Sequence, residues 1–186
     1  MSNYDITLPL TREVAAQLRA GDSVRLTGTL YSARDAAHKR LNELLDAGLP
    51  LPIPIENATI YYAGPTPAPE GYAVGAIGPT TSGRMDAYAP RLIALGLCGM
   101  IGKGERDALV VRAIRKHGAV YFGAIGGAGA LLAEHVEDAD IVAFPELGAE
   151  ALRRLTVRDF PAVVVIDSTG MSLYESGRAE YLKSLK

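Results

Sequence analysis

Residues 97–122 read LCGMIGKGERDALVVRAIRKHGAVYF and indicate a strand, a helix and a second strand in direct succession. The short apolar run Leu97–Ile101 is typical of a buried strand, and Ala119–Phe122 is a second run of that kind. Between them, Glu105–Lys116 carries apolar residues at helical spacing, namely Ala108, Val111 and Ile114. This order of elements predicts an α/β fold.

The same alternation continues on both sides of this segment, with short connections and no internal repeat. Further strands are predicted at Ser23–Leu30, Thr59–Ala63, Tyr72–Ile77, Asp140–Phe144 and Ala162–Asp167. Further helices are predicted at Thr11–Arg19, at Ala33–Ala47 with Ser32 as cap, from about Met85 with a restart at Pro90, at Ala128–His135 and at Ala149–Leu155. Some strands alternate polar and apolar residues and others are apolar throughout. We therefore expect one layered α/β domain over residues 1–186, with a mixed sheet.

The composition is that of an ordinary globular protein, with 186 residues, 48% hydrophobic and 22% charged. A net charge of −2 argues against non-specific nucleic-acid binding. The first residues lack the basic and apolar regions of a secretory signal, and the apolar runs are too short to span a bilayer, so we expect a cytoplasmic protein with no membrane segment. The single cysteine, Cys98, and three widely separated histidines predict that this chain alone binds no metal.

Two basic residues lie directly after predicted strands. Arg34 is in the first turn of the second predicted helix, where free N–H groups and the helix dipole favour an anion, so it is a candidate carboxylate ligand. The alternative is a surface arginine paired with Asp35 or another acid. Lys103 stands between Gly102 and Gly104, which let the backbone approach a ligand while the lysine supplies a point charge. The alternative is a plain surface turn.

The turn Gly78–Asp86 also follows a predicted strand and precedes a helix. It contains three neighbouring hydroxyls and a guanidinium, from Thr80, Thr81, Ser82 and Arg84. Hydroxyls, backbone N–H groups and an arginine together make a cradle for a carboxylate. The alternative is a helix cap at Thr81 or Ser82 with Arg84 in solvent. Taken together, the three loops predict a site for a doubly negative ligand.

These segments resemble the β subunit, or C-terminal domain, of the iron–sulfur hydro-lyases, a family that includes class I fumarate hydratase and L(+)-tartrate dehydratase. The matching stretches run through most of the chain. They are Thr27–Thr29 leading into Arg34–Arg40, then Gly78–Asp86, Gly102–Gly104, Phe144–Gly148 and Asp167–Gly170.

The resemblance implies a swivelling β/β/α domain and a partner α subunit, which carries a [4Fe–4S] cluster on three cysteines and an open iron that binds the substrate hydroxyl. It implies that Arg34, Thr80, Arg84 and Lys103 contact the substrate, that Thr81 belongs to the same cradle, and that Thr80 transfers a proton. The expected assembly is a hetero-oligomer, for example a dimer of αβ units, acting on a small dicarboxylate.

Three functions are consistent with the sequence. The first is the β subunit of fumarate hydratase, which interconverts fumarate and malate. The second is the β subunit of L(+)-tartrate dehydratase, since tartrate adds only one hydroxyl to the malate skeleton and the same cations serve both. The third is a stand-alone regulatory domain that binds a dicarboxylate without a partner.

Overall fold

The computed structural model describes residues 2–184, and its strands form one mixed sheet. The strands are β1 Asn3–Thr7, β2 Ser23–Ser32, β3 Thr59–Tyr61, β4 Gly99–Gly102, β5 Val120–Gly123, β6 Val136–Ala143 and β7 Leu152–Ile166. Their order is β1-β2-β3-β4-β5-β7-β6. Strands β1 to β5 run parallel, whereas β7 runs antiparallel to β2, β5 and β6. The predicted α/β fold class with a mixed sheet is confirmed.

The long strand β7 joins the two sides of the sheet. Most of its length pairs with β2, with Arg153 opposite Ser32 and Val163 opposite Ser23. Its first half also pairs with β6, and its last residues pair with β5. Because β2 is connected to β5 through β3 and β4, these pairings form a closed circuit of five strands.

Six helices are present in the described part of the chain. They are α1 Arg12–Ala15, α2 Asp35–Asp46, α3 Ala89–Ala94, α4 Ala108–His117, α5 Gly129–Ala133 and α6 Leu173–Ser184, with 3₁₀ turns at Ser82–Met85 and Pro145–Glu150. Helix α4 begins where Asp107 accepts a hydrogen bond from Val110 N at 2.8 Å, and it ends at Gly118, whose φ is 68°. No helix among residues 2–184 is both long and apolar enough to cross a membrane.

The buried apolar residues form two clusters. The first core cluster includes Leu18, Leu26, Tyr61, Phe122 and Phe160. The second core cluster packs α2, α3 and α4 against the strands, and it includes Leu41, Ile60, Tyr62, Leu92, Ile114 and Tyr121. Neighbouring residues such as Ile60 and Tyr61 belong to different clusters because successive side chains of a strand point to opposite faces. The resulting layers of strands and helices agree with the expected β/β/α arrangement.

Three sequence predictions are wrong. Residues 72–77 form a loop, because Gly75 N and Ala76 O bond to Thr66 rather than to a sheet strand. The first two residues of the predicted helix Ala149–Leu155 end the 3₁₀ turn Pro145–Glu150, and the residues from Leu152 begin β7, where Leu155 lies opposite Leu30 of β2. Ser32 is the last residue of β2 and does not cap α2, whose cap position is Arg34. Strand β1 and helix α6 were not predicted.

Asp167→Asn is expected to lower the free energy of unfolding by about 1–3 kcal/mol. The buried Asp167 carboxylate accepts from Ala20 N (3.1 Å), Thr169 N (2.9 Å), Thr169 Oγ1 (2.6 Å) and Met171 N (3.3 Å), and an amide loses the charge and half of the acceptors. Urea denaturation measures the change. The exposed Asp138 is the control, because the same substitution there removes no such contact. Equal stability of the two variants would contradict the prediction.

Candidate functional site

The predicted site residues lie at one edge of the sheet. Strands β2, β3 and β4 are parallel neighbours, so their carboxyl ends meet at the same edge. Arg34 follows the end of β2, and Lys103 follows the end of β4. Arg34 is half-buried and Lys103 is exposed, so both side chains are accessible from this edge.

The turn Gly78–Asp86, called here the threonine turn, lies between the ends of β3 and β4. Thr80 N donates to Tyr62 O at 2.7 Å, and Lys103 N donates to Thr80 O at 3.3 Å. Ser82 N donates to Lys103 O at 2.9 Å, and Thr81 pairs with Lys103 as an isolated parallel bridge. Thr80 is half-buried and Thr81 is exposed. The backbone thus places both threonines directly beside Lys103.

Lys103 extends over the glycine-rich loop that follows β5. A methyl group on Gly126 would lie 3.5 Å from Lys103 Cδ and 3.7 Å from its Nζ. Among the side chains that the structure describes, which are those of residues 2–179 and 181–184, no carboxylate oxygen lies within 4.0 Å of Lys103 Nζ. Its charge is therefore not compensated by an ion pair in the described part of the protein.

Arg34 and Arg84 each contact an acid. Arg84 Nη2 lies 2.9 Å from Asp35 Oδ2, which joins the threonine turn to the start of α2. Arg34 Nη2 lies 3.1 Å from Glu150 Oε1. Pairing with an acid was the alternative considered for Arg34, and this contact exists. The Arg84–Asp35 pair is partly exposed, so it is weak enough for a ligand carboxylate to replace the acid, whereas the side chains of the Arg34–Glu150 pair are only 26% and 25% exposed.

Helix capping does not account for the hydroxyls of the turn. Thr81 occupies the cap position of the 3₁₀ turn but makes no side-chain cap hydrogen bond. The Ser82 hydroxyl is buried and lies 2.9 Å from Tyr121 Oη. Thr80 and Thr81 therefore remain available for a ligand.

A connected row of contacts links all five predicted residues. Arg34 adjoins Asp35, Asp35 binds Arg84, and Arg84 shares its turn with the two threonines. Thr81 in turn pairs with Lys103. The row combines three cations with two hydroxyls, which is the chemistry of a dianion site. Whether these residues contact a substrate stays a prediction.

A buried ion pair behind this row was not found from the sequence. Arg106 Nε lies 2.6 Å from Asp86 Oδ1, and the side chains are 0% and 10% exposed. The guanidinium lies over the rings of Tyr62 and Tyr121, at 5.2 and 5.0 Å from their centroids. Asp107 N donates to the other oxygen of Asp86 at 2.7 Å. No sequence pattern pairs two charges twenty residues apart, although a fully buried arginine requires such a partner.

His38 is a further buried polar residue, and it packs beside Tyr62 of the second core cluster. Its Nδ1 donates to Arg34 O at 2.9 Å, because a carbonyl can only accept, so Nε2 is the unprotonated nitrogen. Burial lowers the pKa of His38 to about 4, and the side chain is neutral at pH 7. Its ring contacts Tyr62 edge-on at 5.2 Å. His38 thus helps to hold the backbone at the start of α2.

The described residues do not fit a metal cluster. Cys98 is fully buried, and burial raises the pKa of its thiol to about 11. Among the side chains that the structure describes, no three of histidine, cysteine, aspartate or glutamate are placed to hold a metal ion together.

Gly102→Ala is expected to lower the free energy of unfolding by about 1–3 kcal/mol. A methyl group at Gly102 would lie 2.0 Å from Ser82 Oγ and 3.0 Å from Tyr62 Cδ2, so the Ser82 side chain would have to leave its place. Urea denaturation measures the change. Gly83→Ala is the control, because a methyl group there meets only Asp86 Oδ2 at 4.0 Å. If both variants were equally stable, Ser82 would not be packed as described.

Residues 2–177 match the family described as Fumarase C-terminus. The chain is 44% identical over 174 residues to Fumarate hydratase 2 of Leishmania major, which covers 91% of this chain and 31% of that protein. It is 43% identical over 176 residues to the anaerobic class I fumarate hydratase of Escherichia coli K12, with 92% and 32% covered. The chain thus spans about a third of the length of these relatives.

A shorter relative is matched over nearly its whole length. The putative L(+)-tartrate dehydratase subunit beta of Methanocaldococcus jannaschii is 38% identical over 172 residues, covering 89% of this chain and 88% of that protein. These matches confirm the resemblance inferred from the sequence motifs. The chain belongs to the fumarase C-terminus family.

Proposed function

We propose that this chain is the substrate-binding β subunit, or the equivalent C-terminal part, of an iron–sulfur-dependent hydro-lyase, with fumarate hydratase as the first candidate. The observation that carries the proposal is the row of Arg34, Arg84 and Lys103 beside Thr80 and Thr81 at one sheet edge. Family membership supports it, because relatives named fumarate hydratase share more than 40% identity with the chain.

The proposed chemistry needs fixed positive charge. Dehydration of a 2-hydroxy diacid such as malate removes a weakly acidic proton from C3 and expels the C2 hydroxyl. Loss of the C3 proton builds negative charge on the adjacent carboxylate. Preorganised cations at that carboxylate stabilise the transition state more than the ground state. Under the proposal, Arg34, Arg84 and Lys103 supply this charge.

Thr80 is the proposed proton-transferring group. A threonine hydroxyl is a weak base, and neighbouring cations are needed to stabilise its deprotonated form. The backbone supports this assignment by placing Thr80 beside the segments that carry the cations, since its carbonyl accepts from Lys103 N and its turn also carries Arg84. Thr81 is assigned to substrate binding only.

Binding would exchange one acid for another. The Asp35 and Glu150 carboxylates occupy Arg84 and Arg34 in the structure, and substrate carboxylates would take their places. A partly exposed pair such as Arg84–Asp35 contributes about 0–1 kcal/mol, so the exchange at Arg84 costs little. Lys103 needs no such exchange among the described residues.

The [4Fe–4S] cluster belongs, under this proposal, to a partner α subunit or to the remaining part of a longer chain. The described residues of this chain do not offer cluster ligands. The tartrate dehydratase relative named as subunit beta supports a separate partner and thus a hetero-oligomer. The fumarate hydratases, about three times as long, support one continuous protein.

Tartrate dehydratase is the second candidate function. The observation in its favour is that a relative of that name is matched over 88% of its own length. Both substrates present two carboxylates and a 2-hydroxyl, so the same cations would bind either.

The test is an anaerobic assay of the chain assembled with its cluster-bearing partner, with malate, fumarate and L(+)-tartrate as substrates. Interconversion of malate and fumarate supports the first candidate, and dehydration of tartrate alone supports the second. Absence of both activities in a cluster-loaded assembly would contradict the proposal. Calorimetry on the isolated chain is the complementary test, because micromolar binding of fumarate without a partner would favour a stand-alone regulatory domain.

A further inference from the structure

Gly104, the residue next to Lys103, is held through both its carbonyl group and its N–H group. Tyr121 Oη donates to Gly104 O at 2.8 Å, and Gly104 N donates to Tyr174 Oη at 3.2 Å. Gly104 has a φ of 83°, a conformation that glycine adopts without strain. The loop that carries Lys103 is therefore fixed at its adjacent residue by two tyrosine hydroxyls.

The Tyr121 hydroxyl also reaches the threonine turn. Its oxygen lies 2.9 Å from Ser82 Oγ. Because the Gly104 carbonyl can only accept, the Tyr121 proton points to Gly104, and the Ser82 hydroxyl must be the donor to Tyr121. A directed chain of two hydrogen bonds thus runs from Ser82 through Tyr121 to Gly104.

This chain joins the two segments that carry the proposed reactive groups. Ser82 belongs to the turn of Thr80 and Thr81, and Gly104 belongs to the loop of Lys103. The two segments are otherwise joined by two backbone bonds, Ser82 N to Lys103 O at 2.9 Å and Lys103 N to Thr80 O, which is long at 3.3 Å. A side chain that binds both segments limits how far they can shift relative to each other.

The side chain of Tyr121 is held in one position by its surroundings. It is fully buried on β5 in the second core cluster, and the Arg106 guanidinium lies 5.0 Å from its ring centroid. Burial raises the pKa of its phenol, so the hydroxyl remains a donor at neutral pH. Full burial also keeps Tyr121 from touching a substrate at the sheet edge.

We infer that Tyr121 is a positioning residue, whose hydroxyl sets the distance between Thr80 and Lys103 in the hydro-lyase site. The inference rests on the proposed function, since it names these two residues as the groups that must act on one substrate. A small displacement of reacting groups is enough to lower the rate by about 100-fold.

Tyr121→Phe in the assembled, cluster-loaded enzyme tests the inference. It removes the hydroxyl and keeps the ring, and kcat is expected to fall by roughly 10- to 100-fold with KM little changed. Hydrogen exchange of the assembly is the second measurement: the amides of Ser82 and Lys103 are expected to exchange faster, while those of β1 do not change. Leu18→Ala, buried in the first core cluster, is the control for destabilisation alone and should leave kcat unchanged.

The pair Ser82→Ala and Tyr121→Phe completes the test. If both act through one chain of hydrogen bonds, the double variant is no slower than the slower single variant. Independent, additive effects would overturn the inference, as would a wild-type kcat and unchanged exchange in Tyr121→Phe. An inactive wild-type assembly would count against the proposed function instead, and the exchange rates of Ser82 and Lys103 would then decide alone whether Tyr121 couples the two segments.

Discussion

Lys103→Ala is expected to lower kcat/KM of the assembled hydro-lyase by about 10²- to 10³-fold, or about 3–4 kcal/mol of transition-state stabilisation. Lys103 differs from Arg34 and Arg84 in that none of the described carboxylates forms an ion pair with it. Its whole charge is therefore available to the negative charge that develops on the substrate. Steady-state assays with malate measure the effect.

Two further variants separate charge from folding in this experiment. Lys116→Ala removes the same charge from an exposed position on α4, away from the sheet edge, and should leave kcat/KM unchanged. Lys103→Arg keeps the charge in a different shape and should retain part of the activity. If Lys103→Ala were as active as Lys116→Ala, the substrate would bind elsewhere and the proposed function of this edge would be wrong.

Local sequence patterns predicted the structure correctly where the contacts that define a segment lie within that segment. The strand–helix–strand unit of residues 97–122 was predicted within a few residues, because Asp107 caps α4 and Gly118 ends it through contacts inside the segment. The Lys103 loop was also placed correctly after a strand, and parallel order brings it to the same edge as the end of β2. The turn with Thr80 follows a loop rather than the predicted strand 72–77, and backbone bonds to Tyr62 and Lys103 bring it to this edge.

Backbone partners that the hydrophobic pattern does not reveal account for two of the errors. Residues 149–155 have a helical pattern, yet pairing of Leu155 with Leu30 of β2 satisfies their backbone groups in a strand. Residues 72–77 have a strand pattern but bond to Thr66 instead. The partner of Leu155 is more than a hundred residues away in the sequence, whereas Thr66 is close in sequence but lies in an irregular segment that no strand pattern marks.

The ion pairs of the site could likewise not be predicted from the sequence. A pattern showed that Arg34 and Arg84 are loop cations, but not that Glu150 and Asp35 contact them. The contact between Arg34 and Glu150 joins residues more than a hundred positions apart. Such pairs follow from the route of β7 past the end of β2, which no local motif encodes.

Asp86→Ala is expected to lower the free energy of unfolding by about 3–5 kcal/mol. The substitution leaves the Arg106 guanidinium, whose side chain is 0% exposed, without its carboxylate. It also removes the acceptor of Asp107 N, which lies at the cap of α4. The rings of Tyr62 and Tyr121 offer attraction to the cation but cannot replace a charge. Urea denaturation, with unchanged m-values, measures the loss.

An exposed pair provides the matched comparison for Asp86. Asp5 lies 2.7 Å from Arg25 with side chains 69% and 61% exposed, so Asp5→Ala should change stability little. The double variant Asp86→Ala with Arg106→Met removes both buried charges, and it should recover much of the lost stability because the cost lies in the unpaired guanidinium rather than in the missing bond. If the double variant were as unstable as Asp86→Ala, packing of the Arg106 side chain between the two tyrosines, and not its charge, would hold this part of the protein behind the sheet edge.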